Sequence, residues 1–283
     1  MIAEEHRALL ENRFPDLAVR TMEPFGDGWD TFSYKVNGDL VAQFARPSGR
    51  PAVTLDRLLV MLPEIAAEVS APVPVPRFGS TEDPPCIVYQ FIQGVPMDTA
   101  GDGIWPERLG RFVYDLHLMP PEYVALRSRP AEVVRAERRT DAAGKMAATR
   151  SILGSAIGGQ LDALLTSFLD DDANWRFATC LTHSDVAPQH VLIGDDGDLA
   201  GVIDWGDVEV GDPAADFAWI LGGRPDAGER ALGAYGGEAD IGFRIRADAG
   251  FRLMPWSDVA YGSRVGDDEI LQRGLDGLRD RLG

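Results

Sequence analysis

The chain has 283 residues, 45% of them hydrophobic, with a formal net charge of −18 and a sequence pI near 4.5. That length can bury one large core or two small ones, and so acidic a balance argues against nucleic acid as a partner, since a phosphate backbone demands clustered basic side chains. Only two cysteines occur, Cys86 and Cys180, far apart and without metal-like spacing, the pattern of reduced core thiols in a cytoplasmic protein.

The opening stretch, Met1 to Leu10, has an amphipathic helical pattern and lacks the apolar core of a signal peptide. No run reads as long enough to span a bilayer, and His6 is expected in solvent. Gly26-Asp-Gly-Trp-Asp-Thr31 leads into Thr31–Val36, which with Leu40–Ala45 flanks Asn37-Gly38 and reads as a β-hairpin. Its Gly-rich entry, with Asp30 and Thr31, could offer backbone N–H groups to an anion. Val53 to Leu62 has helical spacing. Ala71-Pro-Val-Pro-Val-Pro76 is an extended connector, because residues before proline avoid the helical region. Cys86–Ile92 reads as an apolar strand ending near Gly94. From Trp105 helices dominate, over 106–118, 129–154 and 160–169. Asp170-Asp-Asp172 reads as a solvated charge run. Residues 214–221 and 267–282 are helical, and the stretch between them resists assignment. The reading is α/β (α+β) in two lobes: a strand-rich one over residues 1–92, with a hinge at about 89–94, and a mainly helical one over 93–283.

The most informative segment is Leu181-Thr-His-Ser-Asp-Val-Ala-Pro-Gln-His190 with Gly201-Val-Ile-Asp-Trp-Gly206. Two short apolar runs, 191–194 and 199–203, flank Asp196-Gly197, a strong hairpin signal. With that dipeptide as the turn, Ile193 pairs with Ala200 and Val191 with Val202. His190 then falls beside Asp204, with Asp185 in the loop just upstream. A loop aspartate, a polar group five residues on and a second aspartate ending the next strand is the layout phosphoryl transfer uses, where metal and positioning supply most of the catalysis.

His183-Ser-Asp185, His190, Asp204-Trp205 and Gly211-Asp-Pro-Ala-Ala-Asp216 together resemble the aminoglycoside phosphotransferase family, antibiotic kinases with a two-lobed protein-kinase-like fold. The likeness runs along nearly the whole chain. Within the family, His190 and Leu169–Trp175 are most similar to macrolide phosphotransferases, and Phe44-Ala-Arg46 resembles enzymes acting on cyclic-peptide antibiotics. The resemblance implies Asp185 as catalytic base, Asp204 and His190 as ligands of Mg²⁺, and His183 and Asp216 as residues holding the loop. His190 stands where most of the family has Asn, and imidazole suits softer metals than magnesium, so a hydrogen-bonding role stays open for it. It further implies GTP or ATP as donor, with Tyr89 at the back of the purine pocket and the backbone of Gln90 and Ile92 on the purine edge. The bulk of Tyr89 leans toward GTP. The partner would be a small-molecule antibiotic, drawn in if cationic by the negative field, with no nucleic acid or membrane. Ser184 replaces the usual Gly, which implies a backbone with no need for a Gly-only conformation.

One position departs from the pattern. Kinase-like folds clamp the nucleotide phosphates with a basic residue on the third strand, paired to a helix Glu. The matching residues are Gln43 and Leu58. With an Asn-Gly turn, Lys35 falls on the sheet face opposite Gln43, as does Arg46. Two alternatives to antibiotic phosphorylation therefore remain: a kinase of a small metabolic alcohol, and a degenerate protein that only binds antibiotic or nucleotide. Asp258, Asp267, Asp268 and Glu269, with Trp256 and Tyr261, are candidates for the acceptor pocket.

Overall fold

The computed structural model describes residues 2–26, 30–47 and 53–283. The Gly26–Thr31 turn therefore lies largely outside the described residues, at 27–29. The N-terminal region is a five-stranded antiparallel sheet in the order β1-β2-β3-β5-β4, built from β1 (Met22–Pro24), β2 (Thr31–Val36), β3 (Leu40–Ala45), β4 (Pro76–Ser80) and β5 (Cys86–Gln90). Its two faces follow from strand alternation. Tyr34, Val36, Leu40, Ala42, Phe44 and Val88 are buried with Leu10 under α1 (Ile2–Arg13). There His6, far from solvated as its sequence context suggests, is 7% exposed, stacks on Phe44 at 4.1 Å and bonds the Tyr34 hydroxyl at 2.8 Å. A His in a short amphipathic helix reads as polar until the aromatic face beneath it is known.

The opposite face carries Ser33, Lys35, Val41, Gln43, Ile87 and Tyr89. Asn37 (φ 54°) and Gly38 (φ 83°) make the expected left-handed turn, closed by Asp39 N–H donating to Val36 O at 3.3 Å. Yet Val36 pairs with Leu40, so Asp39 is an extra loop residue and the register is one off the two-residue hairpin. Because side chains alternate with period two, that single residue moves Lys35 onto the Gln43 face. This corrects the sequence reading. Its ammonium is drawn to the hinge, 3.8 Å from the Phe91 ring centroid. Arg46 does lie on the other face, over Phe32.

Below the sheet, α2 (Val53–Glu68) sends Leu55, Leu58, Met61, Leu62 and Ile65 into the largest core. That core continues into α3 (Trp105–Leu118), through Trp105, Leu109, Phe112 and Leu116, and into the small strands that follow. Burying aromatic and aliphatic side chains of this kind contributes about 1.5–3 kcal/mol each before entropy is set against it. Two short sheets sit here: β6 (Val95–Pro96), β8 (Val191–Ile193) and β9 (Leu199–Val202), and separately β7 (Cys180–Thr182) with β10 (Glu209–Gly211). Gly94 marks where the hinge end presses onto β8; a Cβ there would stand 2.9 Å from Ile193 O.

The third core joins α4 (Ala131–Asp170), α7 (Ile241–Val265) and α8 (Asp268–Leu282), with α5 (Ala218–Gly223) and α6 (Pro225–Ala234) between α3 and α7. Gly154, at φ 68° and ψ −179°, breaks α4 into two arms, near the helix end expected at residue 154. Contrary to the expectation that no run is long enough to span a bilayer, α4 is long and apolar enough by length and composition to cross one; its buried residues pack on α7 and α8. Asp170 and Asp172 pair with Arg139 and Arg135, and Asp171 caps the next turn.

Candidate active site

The β8–β9 hairpin puts Val191 opposite Val202 as expected, but a register irregularity pairs Ile193 with Leu199 instead of Ala200. The slip lies at the turn end, so the opposite end is unaffected: Ile203 N–H donates to His190 O at 2.8 Å. There His190 stands between two carboxylates. Its Nδ1 lies 3.0 Å from the Asp185 carbonyl and 3.2 Å from Asp185 Oδ2, and its Nε2 lies 3.2 Å from Asp204 Oδ2. The imidazole is 12% exposed, while Asp185 and Asp204 are 37% and 57% exposed.

Burial alone would lower the His190 pKa. The hydrogen bond from Asp185 and the charges of Asp204 and Asp185 outweigh it and raise the pKa to about 9. An imidazolium bridging two carboxylates therefore stabilises the metal-free fold. A group raised above its unfolded value of 6.5 contributes fully below that pH and loses its contribution as pH rises through about 9. The melting temperature of metal-free protein should fall across that window, and the fall should be missing in His190→Asn.

The loop before it is held from behind. Asp216 accepts the backbone N–H groups of His183 (2.9 Å) and Ser184 (2.7 Å). It also accepts His117 Nε2–H at 3.0 Å, which leaves Nδ1 to accept the Tyr235 hydroxyl at 2.8 Å. His183 is fully buried; its Nε2–H donates to Ile203 O and its Nδ1 accepts Asp185 N–H. Burial lowers the His183 pKa, consistent with the neutral tautomer those bonds require. Trp205, 1% exposed, packs edge-on against His183 and Phe112. Position 117 offered no sequence signal for this: it lies 99 residues from Asp216 and 118 from Tyr235.

Four described non-glycine residues have positive φ, and two of them, Ser184 (66°) and Asp204 (65°), flank this cluster. The expectation that Ser184 needs no Gly-like conformation is thus corrected; serine sits in the left-handed region, with its Oγ 2.7 Å from Thr182 Oγ1. Such a residue costs roughly 1–2 kcal/mol relative to Gly. Ser184→Gly should raise the denaturation midpoint, by somewhat less than that because the Thr182 contact is lost.

The cluster opens into a cavity of about 1910 Å³ between sheet and helices. Asp30, Thr31, Gln43, Leu58, Ile87 and Tyr89 line its upper wall. Gln43 Nε2 reaches Ser33 Oγ at 3.4 Å and faces no carboxylate on α2 at Leu58. Desolvation, then the nearby Asp204 charge, pushes the Tyr89 phenol well up. Gln90 turns its side chain to Asp39 O and Arg77, and Ile92 packs near Gly201, both outside the cavity lining. Of the acceptor candidates, Asp258, Trp256 and Tyr261 line the cavity, though Trp256 is 3% exposed and bonded to Thr149. Asp267 instead caps α8, with Asp268 and Glu269 in its first turn.

An antiparallel sheet over a helical region, with two carboxylates and an imidazole at the junction, defines the kinase-like phosphotransferase fold. The chain belongs to the phosphotransferase enzyme family, whose sequence profile matches residues 21–251. Two solved structures extend the likeness over the full length. One is the GDP complex of aminoglycoside 2'-phosphotransferase-IIIa, at TM-score 0.84 and 19% identity over 100% of this chain and 99% of that one. The other is macrolide 2'-phosphotransferase MphH from Brachybacterium faecium, at TM-score 0.71 and 24% identity over 98% and 97%. Viomycin phosphotransferase from Streptomyces vinaceus is 35% identical over 114 residues, 38% of this chain and 39% of that protein. An uncharacterized Bacillus subtilis (strain 168) protein, YcbJ, is 27% identical over 177 residues, 56% and 55%. The matches thus span about half the length or less of these curated relatives.

Proposed function

We propose that the protein transfers the γ-phosphate of GTP or ATP to a hydroxyl of an antibiotic, in the cytoplasm, with residues 1–92 holding the nucleotide and 93–283 the acceptor. The observation that carries this is the Asp185–His190–Asp204 cluster on the floor of the interlobe cavity. Asp185 faces the cavity and would take or orient the proton of the acceptor hydroxyl. Similar solved structures are GDP complexes of aminoglycoside phosphotransferases, one of them with kanamycin, which supports this choice of donor and acceptor classes.

Magnesium fits the residues present. Among the described residues no three His, Cys, Asp or Glu side chains form a metal cage. A nucleotide-bound magnesium needs only one or two protein carboxylates, phosphate oxygens and water completing its octahedron. Asp204 is the exposed oxygen donor for it. His190, with Nδ1–H committed to the Asp185 carbonyl, positions both acids and holds Nε2 toward the same place. When bound, magnesium would supply charge neutralisation on the transferring phosphates. The upper wall would hold the nucleotide through Asp30, Thr31, Gln43 and Tyr89, with backbone atoms of Gln90 and Ile92 on the purine. A nucleotide-consumption assay across antibiotics of different classes tests the reading: antibiotic-dependent consumption that chelation abolishes is expected. Consumption only with simple amino alcohols or sugars would replace the antibiotic with a metabolite. A thermal shift with antibiotic but with neither nucleotide would favour sequestration.

A further inference from the structure

The acceptor half of the cavity does not share the acidity of the chain as a whole. We propose, resting on the phosphotransfer reading above, that it takes a bulky hydroxylated acceptor of low net charge with an apolar face, and turns polycations away. Away from the Asp185–His190–Asp204 cluster and the neighbouring Asp207, the carboxylates on this side already hold cations. Asp141 pairs with Lys145 at 3.1 Å, Glu209 with Arg129 at 2.6 Å, Asp212 with Arg246 at 2.9 Å and Asp258 with Arg273 at 2.9 Å. The Asp212–Arg246 pair is buried, at 5% exposure for both residues, and the Arg246 guanidinium lies 4.4 Å from the Phe177 ring centroid. Of the other charges here, Arg138, Arg264 and Arg281 are positive, and Asp207 lies beside the catalytic cluster.

A ligand rich in ammonium groups binds through carboxylates that can be spared for it. Here a new ion pair at Asp212 would break the buried pair and strand the Arg246 guanidinium, which costs more than the exchange returns, and at the more exposed Asp141 and Asp258 it would displace a cation already in place for little gain. The −18 of the sequence is carried elsewhere.

The rest of the wall is small and apolar. α4 faces the cavity with Ala142, Gly144 and Ala148, and α7 with Leu253 and Met254. A second cavity of about 450 Å³ lies between the two arms of α4 and shares Ala142, Leu165 and Leu169 with the first. Ala143, Met146 and Ala147 extend its apolar lining, with Arg139, Arg150 and Asp162 at its edge; Arg150 and Asp162 bond each other. Small side chains give room for a large ring system, and burying its apolar face there contributes about 25 cal/mol per Å².

The test is calorimetric titration of the full chain, loaded with magnesium and a non-hydrolysable GTP or ATP analogue. The probes are erythromycin, a hydroxylated macrocycle with one amine, and two polycations, kanamycin and viomycin, at low and high salt. Erythromycin should bind about tenfold or more tightly than either polycation, with little dependence on salt. Ala148→Phe should weaken erythromycin by a similar factor while nucleotide binding is unchanged. Arg273→Ala, which releases Asp258, should raise kanamycin affinity. Tighter binding of a polycation with steep salt dependence, no binding of erythromycin, or indifference to Ala148→Phe would overturn the proposal. Erythromycin binding in the titration, with no phosphate transferred to it in a parallel assay with GTP or ATP and magnesium, would instead remove the phosphotransfer reading and leave the pocket assignment standing.

Discussion

Asp185→Asn is expected to lower kcat by about 10²–10⁴-fold, the range a positioned acid–base group supplies, with nucleotide affinity nearly unchanged and a modest fall in melting temperature of the metal-free protein, because the His190 imidazolium loses one of its two carboxylates. The side chain is 37% exposed, so Asn keeps its shape, and the His190 imidazolium keeps Asp204 as its second carboxylate. His190 Nδ1 retains the Asp185 backbone carbonyl as partner, so the loop keeps its anchor. The measurement is kcat and KM with a productive acceptor, beside nucleotide titration of the same variant. Turnover within threefold or so of the parent would take Asp185 out of the proton-transfer role, because its remaining contribution would be no larger than that of an ordinary hydrogen bond.

The second large effect is on folding. Asp216→Ala should destabilise the protein by about 3–5 kcal/mol, the scale for removing one partner from a buried charged network. Two backbone N–H groups and His117 Nε2–H would lose their acceptor at a position 1% exposed. For a chain of this size that corresponds to a fall in melting temperature of roughly 10 °C. Tyr235→Phe removes only the outermost donor of the same relay, to His117 Nδ1, and should cost about 1 kcal/mol. Thermal melts of both variants check the gradient. Equal losses would mean that Asp216 does not carry the loop.

Local chemistry made much of this legible. Asp196-Gly197 placed the hairpin that gathers Asp185, His190 and Asp204, because Gly197 adopts φ 76° where the turn needs it. Asn37-Gly38 likewise located the first hairpin. What failed there was parity: Asp39 accepts Phe91 N–H and the Gln90 side chain, and a loop residue recruited by a distant strand leaves no trace in local sequence. The same holds for His117 and Tyr235, which meet Asp216 only through tertiary packing. The unassigned stretch contains α6 and α7. α7 touches α4, α5 and α8, so its apolar residues are spread around the cylinder and no single stripe reveals the helix. Gln43 and Leu58, which stand where the family resemblance implies a basic residue and a Glu, both line the cavity, so this uncharged pair lies where nucleotide would sit on the proposed reading.

The break at Gly154 matters beyond the shape of one helix. It splits the helix into two arms, with the second cavity between them. Substitutions on either arm of α4 that keep the Arg138–Glu209 contact would reshape that side of the cavity while leaving Asp185, His190 and Asp204 in place. On the proposed phosphotransfer reading, this segment is where acceptor range would change fastest while the Asp185–His190–Asp204 cluster stays put.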